Sequence, residues 1–222
     1  MATDNDAWEL RMGLASWYNA HVMPRLLTWL CGQEEIEERR RQVVPLAEGS
    51  VFELGCGGGL NQAHYDHGRV TDFAGIDPHG KLLDGARKRA RLKGWDADIR
   101  QGVGEDIPFP DSTFDTVVCT YTLCSVEDPS LVMAEMRRIL KPGGKLLFLE
   151  HGRAPDPSVT RWQERIEPIW KPLGGGCHLT RPVGSALRGA GFEVEPIGQA
   201  YLKSAPRPFG WMEWGIARKA GA

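Results

Sequence analysis

Two patterns of apolar and polar positions divide the chain. Up to about residue 45 the apolar residues recur at helical spacing, as in "AWELRMGLASWYNAHVMPRLLTWLCG", and Pro45 ends that stretch. From residue 50 the pattern changes to short apolar runs separated by amphipathic ones. "SVFELG" predicts a buried strand, "LNQAHYD" a helix, "TDFAGID" a second strand and "GKLLDGARKRARLKG" a second helix. "ADIRQGV" and "FDTVVCTYT" predict strands three and four, "PSLVMAEMRRIL" a helix and "GKLLFLEH" strand five. Such alternation implies an α/β, Rossmann-like fold with a mostly parallel sheet covered on both faces. The tail departs from it. "RPVGSALRGAG" predicts a helix, and "FEVEPIGQA" and "WMEWGIARK" predict a sixth and a seventh strand, paired as an antiparallel hairpin at the sheet edge. The division that follows is an N-terminal helical cap over 1–45 and one larger domain over 46–222.

Composition narrows the function classes. At 222 residues the chain has the length of one domain, which buries roughly 70 to 75% of its unfolded surface. A formal net charge of −2 gives no general attraction for nucleic acid or for an anionic membrane. The five cysteines are odd in number, and none stands at the CxxC spacing of a redox or zinc site. No metal site is expected, and a reducing cytoplasm fits best. The first residues lack the basic and apolar segments of a secretory signal, and no run approaches the ~20 apolar residues that cross a bilayer. In "EEIEERRRQVV", Glu35 with Arg39 and Glu37 with Arg41 stand four apart, which predicts a solvated helical face.

Candidate chemistry begins where "VFEL" breaks into "GCGGG". In open α/β sheets, ligands sit beyond the carboxyl ends of the strands, and the first strand-to-helix turn is the usual place. Glycines there let a ligand approach the main chain without a Cβ in the way. A dinucleotide fingerprint starting at Gly55 meets Leu60 where its third small residue belongs, and no Lys-Ser or Lys-Thr follows to make a P-loop. What remains is E-x-G-x-G-x-G over Glu53 to Gly59, with Asp77 ending strand two in "GIDPHG".

With "GEDIPFPDSTFDTVVC" and "MRRILKPGGKLLFLEH" in the same order, this resembles the class I S-adenosylmethionine (SAM) dependent methyltransferases. The resemblance implies SAM as cofactor. Gly55, Gly57 and Gly59 would line its methionine part, Glu53 would anchor the turn, and Asp77, followed by Pro78, would take the ribose hydroxyls. Gly104, Glu105 and Asp106 would border the adenine. Val103-Gly104 stands where the family more often has Asp-Ala, so which acid reads the adenine is left open. Cys119 joins the expected cofactor contacts, as does Tyr18 with Trp17, capping from the N-terminal helices.

The acceptor is read from the other half. "VVCTYTLCSVEDP" has neither the Asn-Pro-Pro-Tyr type tetrad of base N-methylating enzymes nor a Pro-Cys nucleophile, so a small molecule and not a nucleic acid is expected. "IPFPD" resembles the ubiquinone and menaquinone C-methyltransferases and the phospholipid N-methylating enzymes. "LEHG", "RIEPIW" and "GGGCHLTRP" resemble the endoplasmic-reticulum thiol S-methyltransferases of the methyltransferase-like group, without their hydrophobic membrane anchor. A thiol acceptor is therefore expected. Quinols and phospholipids are the alternatives, and a non-catalytic SAM-binding scaffold is the alternative of another class. His151, ending strand five, is the first candidate for a base or orienting residue. Cys177 and His178 lie on a glycine-rich loop expected to act as a lid. Membrane association through "HVMPRLLTWLC" is the weaker reading of a segment expected to pack over the cofactor.

Overall fold

The computed structural model describes residues 31–220. Seven strands form one sheet: β1 (Gly49–Leu54), β2 (Val70–Asp77), β3 (Asp98–Gln101), β4 (Phe114–Thr120), β5 (Leu140–His151), β6 (Phe192–Tyr201) and β7 (Trp211–Lys219). Their order is β3-β2-β1-β4-β5-β7-β6. β1 to β5 pair in parallel, and β7 inserts antiparallel between β5 and β6. The order reverses on either side of β1, which opens a crevice at its carboxyl end. Pattern and topology therefore agree on the α/β class, the seven strands and the antiparallel C-terminal pair.

Alternation along each strand sorts the core into two layers. Phe52, Leu54, Val117, Leu146 and Phe148 face α3 (Pro129–Ile139) and α5 (Val183–Gly189). Val51, Val118, Leu147 and Leu149 face α1 (Glu34–Val43) and α2 (Gly80–Leu92). α3 starts sharply because Asp128 caps the amides of Ser130 and Leu131 and Pro129 stands at the first turn. α4 (Pro157–Leu173) leads into the glycine-rich loop, and α6 (Arg207–Gly210) is a single turn before β7.

Two expectations are corrected. "LNQAHYD" forms only a 3₁₀ turn over Asn61–Ala63, because Asn61 and Gln62 are drawn into the interior and leave no apolar face on which a helix could pack. The charged run of α1 is not a uniformly solvated face. Ile36, Arg40 and Val43, at i, i+4 and i+7, turn inward. The expected ladder is replaced as well. Glu37 pairs with Arg40 at 3.3 Å and Arg41 with Glu34 at 2.9 Å. Glu35 instead accepts from the amides of Lys203 and Ser204.

Candidate functional site

At the crevice lies a cavity of about 540 Å³, walled by the ends of β1, β2 and β4 and by α1. A wider groove of about 720 Å³ between α3 and α5 holds none of the candidate site residues. After Leu54 the chain turns through Gly55, whose amide donates to the Ile76 carbonyl at 2.9 Å. Gly55 has φ of +71°, and a Cβ there would lie 2.0 Å from the Thr122 hydroxyl. Its bareness serves the fold. Gly57 also has positive φ, +47°, yet a Cβ on it would meet only Asp77 Oδ2, at 3.8 Å, and one on Gly58 would meet nothing within 4 Å. At these two positions the open space belongs to the cavity they line. Gly59 packs against α2 at Ala86 and is not part of the cavity wall.

Asp77 ends β2 in that wall. Its Oδ2 accepts from the Gly57 amide at 2.9 Å and its Oδ1 from the His79 amide at 2.8 Å. Burial raises its pKa, against the pull of the two amides. Pro78, Gly104 and Glu105 line the cavity with it. Between the two acids left open by the motif the structure draws a distinction: Glu105 is at the wall and accepts from the amides of Glu127 and Asp128, whereas Asp106 is exposed outside it. Cys119 is not at the wall either. It faces the α3 layer, and alternation puts the next residue of β4, Thr120, at the cavity instead. Tyr18, Trp17 and residues 21–30 of the apolar N-terminal stretch lie outside the described residues.

A buried polar network closes the floor. Glu53 accepts from Asn61 Nδ2 at 3.0 Å and from the Tyr65 hydroxyl at 2.8 Å. Asn61 also donates to Thr120 at 3.0 Å and accepts from Arg40 Nη1 at 3.1 Å. Desolvation pushes the Glu53 carboxyl up to about 7, opposed by these donors and by Arg40. Arg40, 2% exposed, lines the cavity, and its guanidinium sits 5.7 Å from the centre of the Tyr121 ring. The charge pattern hid Arg40, since nothing local marks it as the arginine that turns inward. Asn61 and Glu150 were missed too, although a charged residue inside "LLFLEH" is a visible anomaly.

Glu150, fully buried, organises the turn after β4. Its Oε1 accepts from the amides of Thr122 and Leu123 at 2.9 and 3.1 Å, its Oε2 from that of Cys124 at 3.3 Å, and the Cys119 thiol lies 3.4 Å away. Burial raises it to about 7 despite those donors. Arg181 of "GGGCHLTRP" ties down the same turn through the carbonyls of Leu123 and Val126. His151 and Cys177 meet here: Cys177 Sγ is 3.7 Å from His151 Nδ1, and His151 Nε2 is buried without a hydrogen-bond partner among the described residues. His178 is committed elsewhere, to Glu167 at 2.9 Å, and that carboxylate also accepts from the amide and hydroxyl of Thr180.

A glycine turn under an open crevice, a strand-end carboxylate at its side and the strand order around them define a class I methyltransferase. A methyltransferase-domain family profile matches residues 52–148. The chain is 38% identical over 174 residues to the thiol S-methyltransferase TMT1B of Rattus norvegicus, covering 76% of this chain and 68% of that protein. It is 31% identical to the human thiol S-methyltransferase TMT1A, over 90% of this chain and 85% of that one. Among solved structures, YcgJ of Bacillus subtilis superposes with a TM-score of 0.63 at 17% identity, covering 83% of this chain and 98% of its own. The chain belongs to the SAM-dependent methyltransferase family and is such an enzyme.

Proposed function

We infer that the protein transfers the methyl group of SAM to the sulfur of a small, rather apolar thiol. The residues present fit the cofactor. Gly57 and Gly58 leave a cradle that a Cβ would fill, Asp77 offers a carboxylate at the cavity wall for ribose hydroxyls, and Glu53 holds the turn from below. Gly55, Pro78, Gly104 and Glu105 complete the wall we assign to it. When bound, SAM supplies an electrophilic methyl group on a sulfonium. The chain's own task is alignment, which contributes on the order of 7 to 11 kcal/mol when geometry is held.

The observation that carries the thiol reading is His151, buried at the end of β5 with one ring nitrogen facing Cys177 and the other without a partner among the described residues. His151 does not itself line the cavity; we assign it to the acceptor side, where an imidazole can orient an acceptor and take its proton. A thiol asks little more, because with a pKa of ~8.5 it is already partly thiolate near neutrality. Similarity to the thiol enzymes over 76% of this chain supports the same acceptor class, as does the resemblance carried by "GGGCHLTRP". No described helix is long and apolar enough to cross a membrane, and we place the activity in a reducing, cytoplasmic setting. Labelled SAM offered with alkyl thiols, quinols, amines and phospholipids tests the reading. Methylated thiols are expected, and transfer confined to quinols or lipids would overturn it.

A further inference from the structure

Three cysteines far apart in sequence gather beside the cavity: Cys31 in its wall, Cys124 in the turn after β4 and Cys177 in the glycine-rich loop. Two of them are poised against each other. The His178 amide donates to the Cys124 carbonyl at 2.8 Å, so the two segments run a hydrogen bond apart. A second contact, Gly176 against the Ser125 carbonyl, stands one residue from each cysteine and holds the same two segments together. The two side chains act directly on each other's ionisation, and both thiols are free. We propose that Cys124 and Cys177 are a reversible oxidation site, closing to a disulfide that fixes the glycine-rich loop against the cavity rim and halts turnover.

The chemistry of the pair favours it. Interaction with Cys124, with help from His151 at 3.7 Å, holds the Cys177 thiol well below its usual range, while the same interaction and burial push Cys124 up. The imidazole of His151 faces Cys177 and not Cys124, which makes Cys177 the attacking thiolate and Cys124 its protonated neighbour. With a peroxide as oxidant, the Cys177 thiolate attacks an oxygen, the O–O bond breaks, and the sulfur becomes a sulfenic acid as hydroxide leaves. Cys124 then gives up its proton and attacks Cys177 Sγ. The S–O bond breaks, and the departing hydroxide takes that proton as water. Two thiols are oxidised to one disulfide and the peroxide is reduced to water.

The consequence falls on the loop. Gly175 lines the cavity, and Gly176 lies close enough over Ser125 that a Cβ would be 3.2 Å from its carbonyl oxygen. A covalent bond at the next residue removes the freedom of this stretch and also the thiolate facing His151. The effect on turnover rests on the methyltransferase reading; the bond itself does not.

The full chain is treated with hydrogen peroxide and digested without reduction. The expected product is one cross-linked species joining the peptides of Cys124 and Cys177, lighter than their sum by two hydrogens, with Cys56 and Cys119 unchanged. Methyl transfer should fall at least tenfold and return on adding a phosphine, a reductant that is not itself a thiol acceptor. The Cys31→Ser protein should still form the link. In Cys124→Ser, peroxide should drive Cys177 to the sulfinic acid, and the phosphine should restore nothing. A link between Cys177 and Cys31, sulfinic acid on Cys177 of the unmodified sequence without any link, or a link that leaves turnover unchanged would each overturn the proposal. Should the chain methylate nothing in the acceptor panel, the cross-linked peptide still decides the oxidation site.

Discussion

The two glycines of the β1 turn separate what the fold requires from what the ligand requires. Alanine at Gly57 must adopt φ of +47°, which costs roughly 1–2 kcal/mol for an L residue, but its methyl meets nothing nearer than Asp77 Oδ2 at 3.8 Å. Alanine at Gly55 carries the same strain at φ of +71° and also strikes the Thr122 hydroxyl at 2.0 Å. Overpacking of that kind adds about 1–3 kcal/mol. Gly55→Ala should therefore lose about 2–5 kcal/mol, a large part of the ~5–15 kcal/mol that holds a domain together. Gly57→Ala should lose only the strain, a fall in Tm of about 2–8 °C at this chain length. Its added methyl projects into the cavity, so affinity for S-adenosylhomocysteine should drop at least tenfold, or about 1.4 kcal/mol. Gly58→Ala, with no neighbour within 4 Å and no strained φ, should weaken binding with little change in Tm. Thermal unfolding paired with titration calorimetry reads both quantities. Folded Gly57→Ala protein that binds with parental affinity would refute the claim that this stretch of main chain is bare for a ligand.

Asp77→Ala should weaken SAM binding by an order of magnitude or more, and Asp77→Asn by less, since the amide can still accept from Gly57; equal affinity in all three proteins by calorimetry would remove Asp77 from the ribose. His151→Ala should lower kcat while leaving KM for SAM within about threefold, and a matched loss in both would take His151 away from the acceptor. Stability should fall as pH rises from about 4.5 to 7. Glu53 and Glu150 both keep their protons to about 7 in the folded chain, whereas the unfolded chain releases them near 4.5. Each raised carboxyl thus contributes a loss on the order of 3 kcal/mol across that window, complete above pH 7. Urea unfolding at pH 5 and pH 8 checks this, and Glu53→Gln should flatten the fall; a profile that rises with pH in the parent protein would contradict it.

Arg40 shows why the charged N-terminal run was misjudged. Its neighbours Arg39 and Arg41 share its composition and its spacing from glutamates, yet it alone of the three bonds Glu37, Asn61 and the Cys31 carbonyl inside the cavity wall. A guanidinium has five donors, and burying it requires partners on several sides. Glu37 is one turn away on the same helix, but Asn61 and the Cys31 carbonyl come from outside it and are brought to the guanidinium by the fold. Glu150 is the companion case. The sequence marks it as a charge within an apolar strand, while its acceptors' role toward three consecutive amides appears only once β4 and β5 lie side by side.

What the sequence determined by itself was whatever depends on near neighbours: the strand and helix periods, the glycine turn, the carboxylate ending β2 and the family those residues mark. Turn conformation and amphipathic spacing are properties of a few consecutive residues, so they are legible along the chain. The tertiary structure alone decided which faces met. It put Thr120 and not Cys119 at the cavity, turned Arg40 inward, gave His178 to Glu167, and brought Cys177 to His151 across 26 residues and to Cys124 across a longer loop. Such contacts depend on the packing of distant segments and on the desolvation that follows, which a local pattern does not encode.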